Sequence, residues 1–160
     1  MPPRRNRIAV VLDTNVIIGY YLSRRPQSAN SRVFRLWRDE RKLQLIVSRA
    51  VVDEYLEVLA RLNVAERQIK LLVERFAKRS TVTHAKLGTQ PRISRDPEDN
   101  PILATAMAGK VKFLVTNDRD LLDISAAEKQ RFKFEIVTPA ELLARLKSRN
   151  ERKGKRWISI

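Results

Sequence analysis

Ile8-Ala9-Val10-Val11-Leu12-Asp13-Thr14-Asn15 decides how this chain is read. Five consecutive apolar residues predict a strand buried on both faces, and the run stops at a carboxylate. Asp, Thr and Asn all carry hydrogen-bonding groups and make poor core material. In an open α/β sheet, however, the carboxyl end of a strand is where sites are built. Asp13 would equally well cap a helix running over Val16-Ile17-Ile18. This stretch alone leaves both roles open.

Working outward, apolar periodicity supplies the other elements. Tyr20-Tyr21-Leu22 continues the first helix, residues 23–30 with Pro26 read as a loop, and Val33, Leu36 and Trp37 mark a second helix. Leu43 to Ser48 is the next strand, followed by a helix with Val51, Val52, Tyr55, Leu56 and Leu59 on one broad face. Residues 65–78 are a further amphipathic helix, and Thr81-Val82-Thr83 is a short strand. After a loop over 85–95, Asp96-Pro97-Glu98-Asp99-Asn100-Pro101 opens a helix that runs over 102–108, with Pro101 suited to the first helical position and Gly109 to its end. Val111 to Val115 is a fourth strand stopping at Thr116-Asn117-Asp118, and Asp120-Leu121-Leu122 begins a short helix. Phe134 to Val137 is a fifth strand. Thr138-Pro139-Ala140-Glu141 is a capping box for a last helix that reads to about Leu146. Strands alternating with helices imply a mainly parallel five-stranded sheet with helices on both faces. The expected organisation is a basic N-terminal arm over 1–7, one domain over 8–147 and a basic tail over 148–160.

Charge separates the function classes. The 160 residues carry 33 Lys+Arg against 18 Asp+Glu, a formal net charge of +15, which favours a polyanionic partner through counterion release. Arg4, Arg5 and Arg7 in the arm, and Arg149, Arg152, Lys153, Lys155 and Arg156 in the tail, are the natural phosphate-contacting candidates. A solvated, unengaged terminus is the plain alternative for both. Trp37 reads as core, and Trp157, within the tail, as packing rather than stacking on a base. No window approaches the ~20 apolar residues of a membrane span. The basic N-terminus is followed too soon by Asp13 for a signal peptide. The expectation is therefore a cytoplasmic protein without a membrane partner. With no Cys, disulfides and thiolate metal sites are excluded.

In so basic a chain the placement of acids is informative. Asp13 ends the first strand and Asp118 follows the fourth. Glu54 lies a turn or two after the second strand, and Asp99 opens the helix before the fourth. If the first and fourth strands are neighbours at a switch point, Asp13 and Asp118 meet at one sheet edge, and the other two lean toward them. Carboxylates sharing a cleft raise one another's pKa unless a cation neutralises them. All-oxygen ligation suits Mg²⁺ or Mn²⁺, and a chain with no Cys and His84 as its one His is a poor zinc binder. Such a cation beside a basic surface is equipped to hydrolyse phosphodiesters with activated water. His84 itself reads as structural or superficial.

Four pieces stand in the order of a PIN domain: Leu12-Asp13-Thr14-Asn15-Val16; Ser48 through Glu54-Tyr55 with Val58-Leu59; Asp96-Pro97-Glu98-Asp99-Asn100; and Val115-Thr116-Asn117-Asp118 with Asp120-Leu121-Leu122. Over about residues 8 to 140 the chain resembles PIN-domain ribonucleases, above all the VapC-like toxin components of prokaryotic toxin–antitoxin pairs. The resemblance implies a three-layer α/β/α sandwich with strand order 3-2-1-4-5 and a metal-dependent endoribonuclease. It places Asp13, Glu54, Asp99 and Asp118 on the family's acidic quartet, as catalytic residues and Mg²⁺ or Mn²⁺ ligands. Asn15 and Thr116 fall on supporting polar positions, with Asp96 and Asp120 as second choices. It further implies an RNA substrate, a homodimer and a protein antitoxin. A structure-specific DNA nuclease and a non-catalytic nucleic-acid-binding module are the rival readings.

Overall fold

The computed structural model describes residues 7–87 and 100–158; of residue 100 and residues 155–158 it describes the backbone alone. Strand β1 (Ile8–Leu12) lies at the centre of a five-stranded sheet. Around it are β2 (Leu43–Val47), β3 (Val82–His84), β4 (Phe113–Val115) and β5 (Glu135–Val137). Their order is β3-β2-β1-β4-β5, and each neighbouring pair is parallel. The chain steps outward from β1 to β2 and β3, then returns across the sheet to β4. The switch point thus falls between β1 and β4, where Leu12 is in register with Val115.

Helices α1 (Thr14–Leu22), α2 (Ala29–Arg38), α3 (Arg49–Arg61), α4 (Glu66–Phe76), α5 (Asn100–Ala108), α6 (Arg119–Leu122), α7 (Ala126–Lys129) and α8 (Pro139–Ile158) complete the α/β/α sandwich. All five residues of β2 are buried, as expected for a strand covered on both faces. Trp37 is fully buried and its indole N–H donates to the Thr81 carbonyl at 3.1 Å, so the largest core side chain also has its polar atom satisfied. His84 is exposed and its Nε2 lies 2.8 Å from the Phe76 carbonyl.

Helix α5 ends at Ala108, just before Gly109 as expected, although the left-handed residue that follows is Lys110, at φ 49°. Gly109 is needed for close approach instead, since a Cβ there would run into the Ile46 side chain on β2. Helix α7, capped by Ser125, is a separate short helix after the one over Asp120-Leu121-Leu122. The last helix does not stop near Leu146 but continues to Ile158. Arg, Lys and Glu propagate a helix well even where no apolar stripe announces it.

Candidate active site

Residues at the carboxyl ends of β1 and β4 meet as the strand register requires. Asp13 follows β1, its N–H donating to the Val115 carbonyl of β4 at 2.8 Å. Its side chain turns inward and is only 5% exposed. Oδ1 accepts the Thr14 N–H at 2.8 Å, so Asp13 caps α1 while forming part of the site. Oδ2 accepts the Thr116 hydroxyl at 2.6 Å and the Asn15 side-chain amide at 3.1 Å. These bonds occupy three of the roughly four lone-pair directions of a carboxylate.

Thr116 is the hub. Besides donating to Asp13, its fully buried hydroxyl oxygen accepts the Asp118 N–H at 2.9 Å, which fixes the turn out of β4. Half-buried Asp118 then caps α6 by accepting the Asp120 N–H at 2.9 Å. Asp120 therefore contributes its backbone to this seam. Asn15 Oδ1 accepts the Asn117 N–H at 3.1 Å, and the Asn117 amide reaches Asn30 Oδ1 at 3.0 Å. The links of Asn117 to Asn15 and to Asn30, at the start of α2, carry no sequence signal: polar residues on separate elements leave no periodic trace.

Glu54 is half-buried on α3. Its neighbour Tyr55 is fully buried and its hydroxyl donates to the Leu12 carbonyl, tying α3 to the end of β1. Burial pushes the Tyr55 phenol well above its ordinary range, and the charges of Asp13 and Glu54 push it further. Tyr55 thus feels the charge of two of the expected ligands and stays a neutral donor. Helical spacing assigned it to the core and could not show where its hydroxyl would go. A further hydroxyl pair joins Ser48 to Thr105 of α5 at 2.8 Å, anchoring the start of α3.

The electrostatics centre on Asp13. Loss of hydration raises its pKa, while the Thr116 and Thr14 hydrogen bonds lower it; Asp118 raises it again and Asn15 lowers it. The charged group acting on this buried carboxylate is therefore another carboxylate. Beside it, Thr14 Oγ1 is buried with no hydrogen-bond partner among the described residues. Of the expected site residues, the structure links Asp13, Asn15, Thr116, Asp118 and the Asp120 backbone, with Glu54 next to Tyr55. Asp99 and Asp96 lie outside the described residues, as do Arg4 and Arg5. Among the described residues no three Asp, Glu or His side chains are grouped closely enough to hold a metal ion. Arg149, Arg152 and Lys153 lie on α8; the side chains of Lys155, Arg156 and Trp157 are outside the described residues.

The PIN domain family matches residues 9–120, a span holding β1 to β4 and the whole Asp13–Thr116–Asp118 seam. No curated protein sequence matches the chain significantly. Among solved structures, the chain is similar to one in a crystal structure of VapBC2 from Rickettsia felis bound to a DNA fragment from their promoter. That similarity has a TM-score of 0.48 at 14% identity and covers 82% of this chain and 98% of the other. The family match spans well over half the sequence, and the chain belongs to the PIN-domain family, a family of nucleases.

Proposed function

We propose that the protein is an Mg²⁺- or Mn²⁺-dependent endoribonuclease, acting as the toxin of a toxin–antitoxin pair. The observation that carries this reading is Asp13: a buried carboxylate held by neutral donors, with the like charge of Asp118 bearing on it. Oxygen donors of this kind suit a hard divalent cation. The orphaned Thr14 hydroxyl beside Asp13 is a further oxygen that the protein leaves unengaged. Asp13 and Asp118 would hold the ion with Glu54 from α3 and with Asp99, and Asp96 and Asp120 are second choices. When bound, the cation supplies charge neutralisation at the phosphodiester and an activated water.

The chain's own residues do the positioning. Thr116 and Asn15 hold one oxygen of Asp13, Thr116 accepts the Asp118 N–H, and the Asp118 carboxylate accepts the Asp120 N–H, so both acids are tied into one hydrogen-bonded seam. Tyr55 locks the end of β1 without adding charge. RNA as substrate, the antitoxin and a homodimer come from the motif resemblance and belong to this proposal, as do the cytoplasmic setting and the division into arm, domain and tail.

The test is to incubate the protein with matched single-stranded RNA and DNA, with Mn²⁺ or Mg²⁺ and then with EDTA. Internal cuts in RNA alone, abolished by EDTA, are expected. Cutting confined to DNA would replace this reading with a DNA nuclease. Binding with no cut in either polymer would replace it with a non-catalytic module.

A further inference from the structure

The strands have two ends, and the second is as distinctive as the first. Because α8 starts just after β5, at the carboxyl edge of the sheet, it runs back toward the opposite edge. Its basic half there meets the residues that open the strands. One groove of about 340 Å³ is lined by Lys112 and Phe113 at the start of β4, Glu135 at the start of β5, and Arg145, Arg149 and Arg152. A second, of about 300 Å³, includes Ile8 of β1, Glu40 and Lys42 before β2, Arg149 and Lys153, so its cations outnumber its one acid. Arg149 is shared by both.

Two observations give this edge a ligand class. Arg149 Nη1 is buried with no hydrogen-bond partner among the described residues, an unusual state for a group that forms strong charge-assisted bonds. Arg145, Arg149 and Arg152 or Lys153 also recur once per helical turn of about 5.4 Å, so the cations form a row rather than a point. Of these, Arg145 is paired with Glu135 at 3.2 Å. A row of guanidinium and ammonium groups suits repeated phosphates better than one carboxylate.

We propose that this amino-edge groove, centred on Arg149 and flanked by Lys42, Lys112, Arg152 and Lys153, binds the phosphate backbone of single-stranded RNA as a site separate from the acidic one. The five residues of β1, at about 3.3 Å each, put the two ends on the order of 15 Å apart. One phosphate cannot engage both, so the groove retains the strand at a distance from the bond being cut. The choice of RNA rests on the proposed function, but the binding itself does not require cleavage.

The experiment measures anisotropy of a labelled ~20-nucleotide single-stranded RNA against full-length protein carrying Asp13→Asn, across a salt series. Replacing Arg149, Arg152 and Lys153 by Gln should weaken binding at least about tenfold at ~0.1 M salt. It should flatten the log K against log salt slope by about two, at roughly 0.7 per phosphate contact. Removing equal charge at exposed Arg61, Arg67 and Lys70 of α3 and α4 is the control and should do much less. Arg152→Gln with Lys153→Gln serves if the triple variant loses helix by circular dichroism. Equal weakening by both triples would overturn the proposal, as would RNA affinity unchanged in the α8 variants while an acidic peptide loses its binding to them. If the wild type cuts no RNA but the α8 variants alone lose RNA binding, the groove stands and the nuclease reading falls.

Discussion

The two ends of one sheet make opposite electrostatic arrangements from the same strands. At the carboxyl edge, Asp13 is nearly inaccessible, three neutral donors hold it, and Asp118 adds a like charge. At the amino edge, Lys42 and Lys112 are exposed and stand beside the cations of α8. The first arrangement is fixed by short hydrogen bonds and costs hydration; the second, apart from the buried Arg149 Nη1, keeps its charges in water on long stems. Chemistry at a bond needs groups held to within a fraction of an ångström, whereas holding a polymer needs only charge along a path. The difference between the two edges is therefore one of rigidity as much as of sign.

Each substitution below should affect one edge more than the other. Asp118→Asn removes the carboxylate nearest in effect to Asp13 and should lower metal-dependent cleavage by about a hundredfold or more, with RNA binding kept. Single-turnover cleavage beside anisotropy separates the two. Thr116→Val keeps the volume but deletes a donor to Asp13 and the acceptor of the Asp118 N–H. It should lower cleavage roughly 10–100-fold, as loss of an outer hydrogen bond to a ligand does. It should also cost about 1–3 kcal/mol in denaturant unfolding, because buried polar groups lose their partners. Tyr55→Phe leaves the Leu12 carbonyl without its donor and should cost about 1–2 kcal/mol with a smaller effect on cleavage.

The pH response follows from the raised pKa of Asp13. Above the ordinary value of 3.8 the unfolded chain has released this proton while the folded chain still binds it. Stability of the metal-free protein is thus lost as pH rises from 3.8 through the folded-state pKa. In thermal melts the wild type should decline relative to Asp13→Asn across that window, and added Mn²⁺ should offset the decline in the wild type alone. A flat difference would mean that Asp13 is not destabilised by burial. The smallest effect is expected at Gly19, where a Cβ would collide with the Asn30 side chain. Gly19→Ala should disturb the Asn30–Asn117 link and slightly lower cleavage, against a helix-propensity gain of about 1 kcal/mol.

Much of the carboxyl edge was legible because its signals are contiguous. A run of five apolar residues ending at Asp13 can hardly be other than a buried strand meeting a polar edge, and β4 repeats the pattern at Thr116-Asn117-Asp118. The Thr138 box was equally local, and Thr138 Oγ1 does accept the Glu141 N–H at 3.1 Å. The strand order came from the resemblance, and the pairing of β1 with β4 bears it out. What escaped notice depends on contacts far apart in sequence. The Tyr55 hydroxyl on the Leu12 carbonyl, the Asn30–Asn117 bridge and the Ser48–Thr105 pair have no spacing to betray them. The extension of α8 was hidden for another reason: a charged surface helix carries no apolar period where it leaves the core.

The most direct measurement runs wild type and Asp13→Asn side by side on a labelled mixed-sequence single-stranded RNA with Mn²⁺, then with EDTA. Metal-dependent internal cuts by the wild type, absent from Asp13→Asn while its circular dichroism and RNA affinity are retained, are the predicted result. Undiminished cutting by Asp13→Asn would contradict the assignment of this buried carboxylate to the reacting centre.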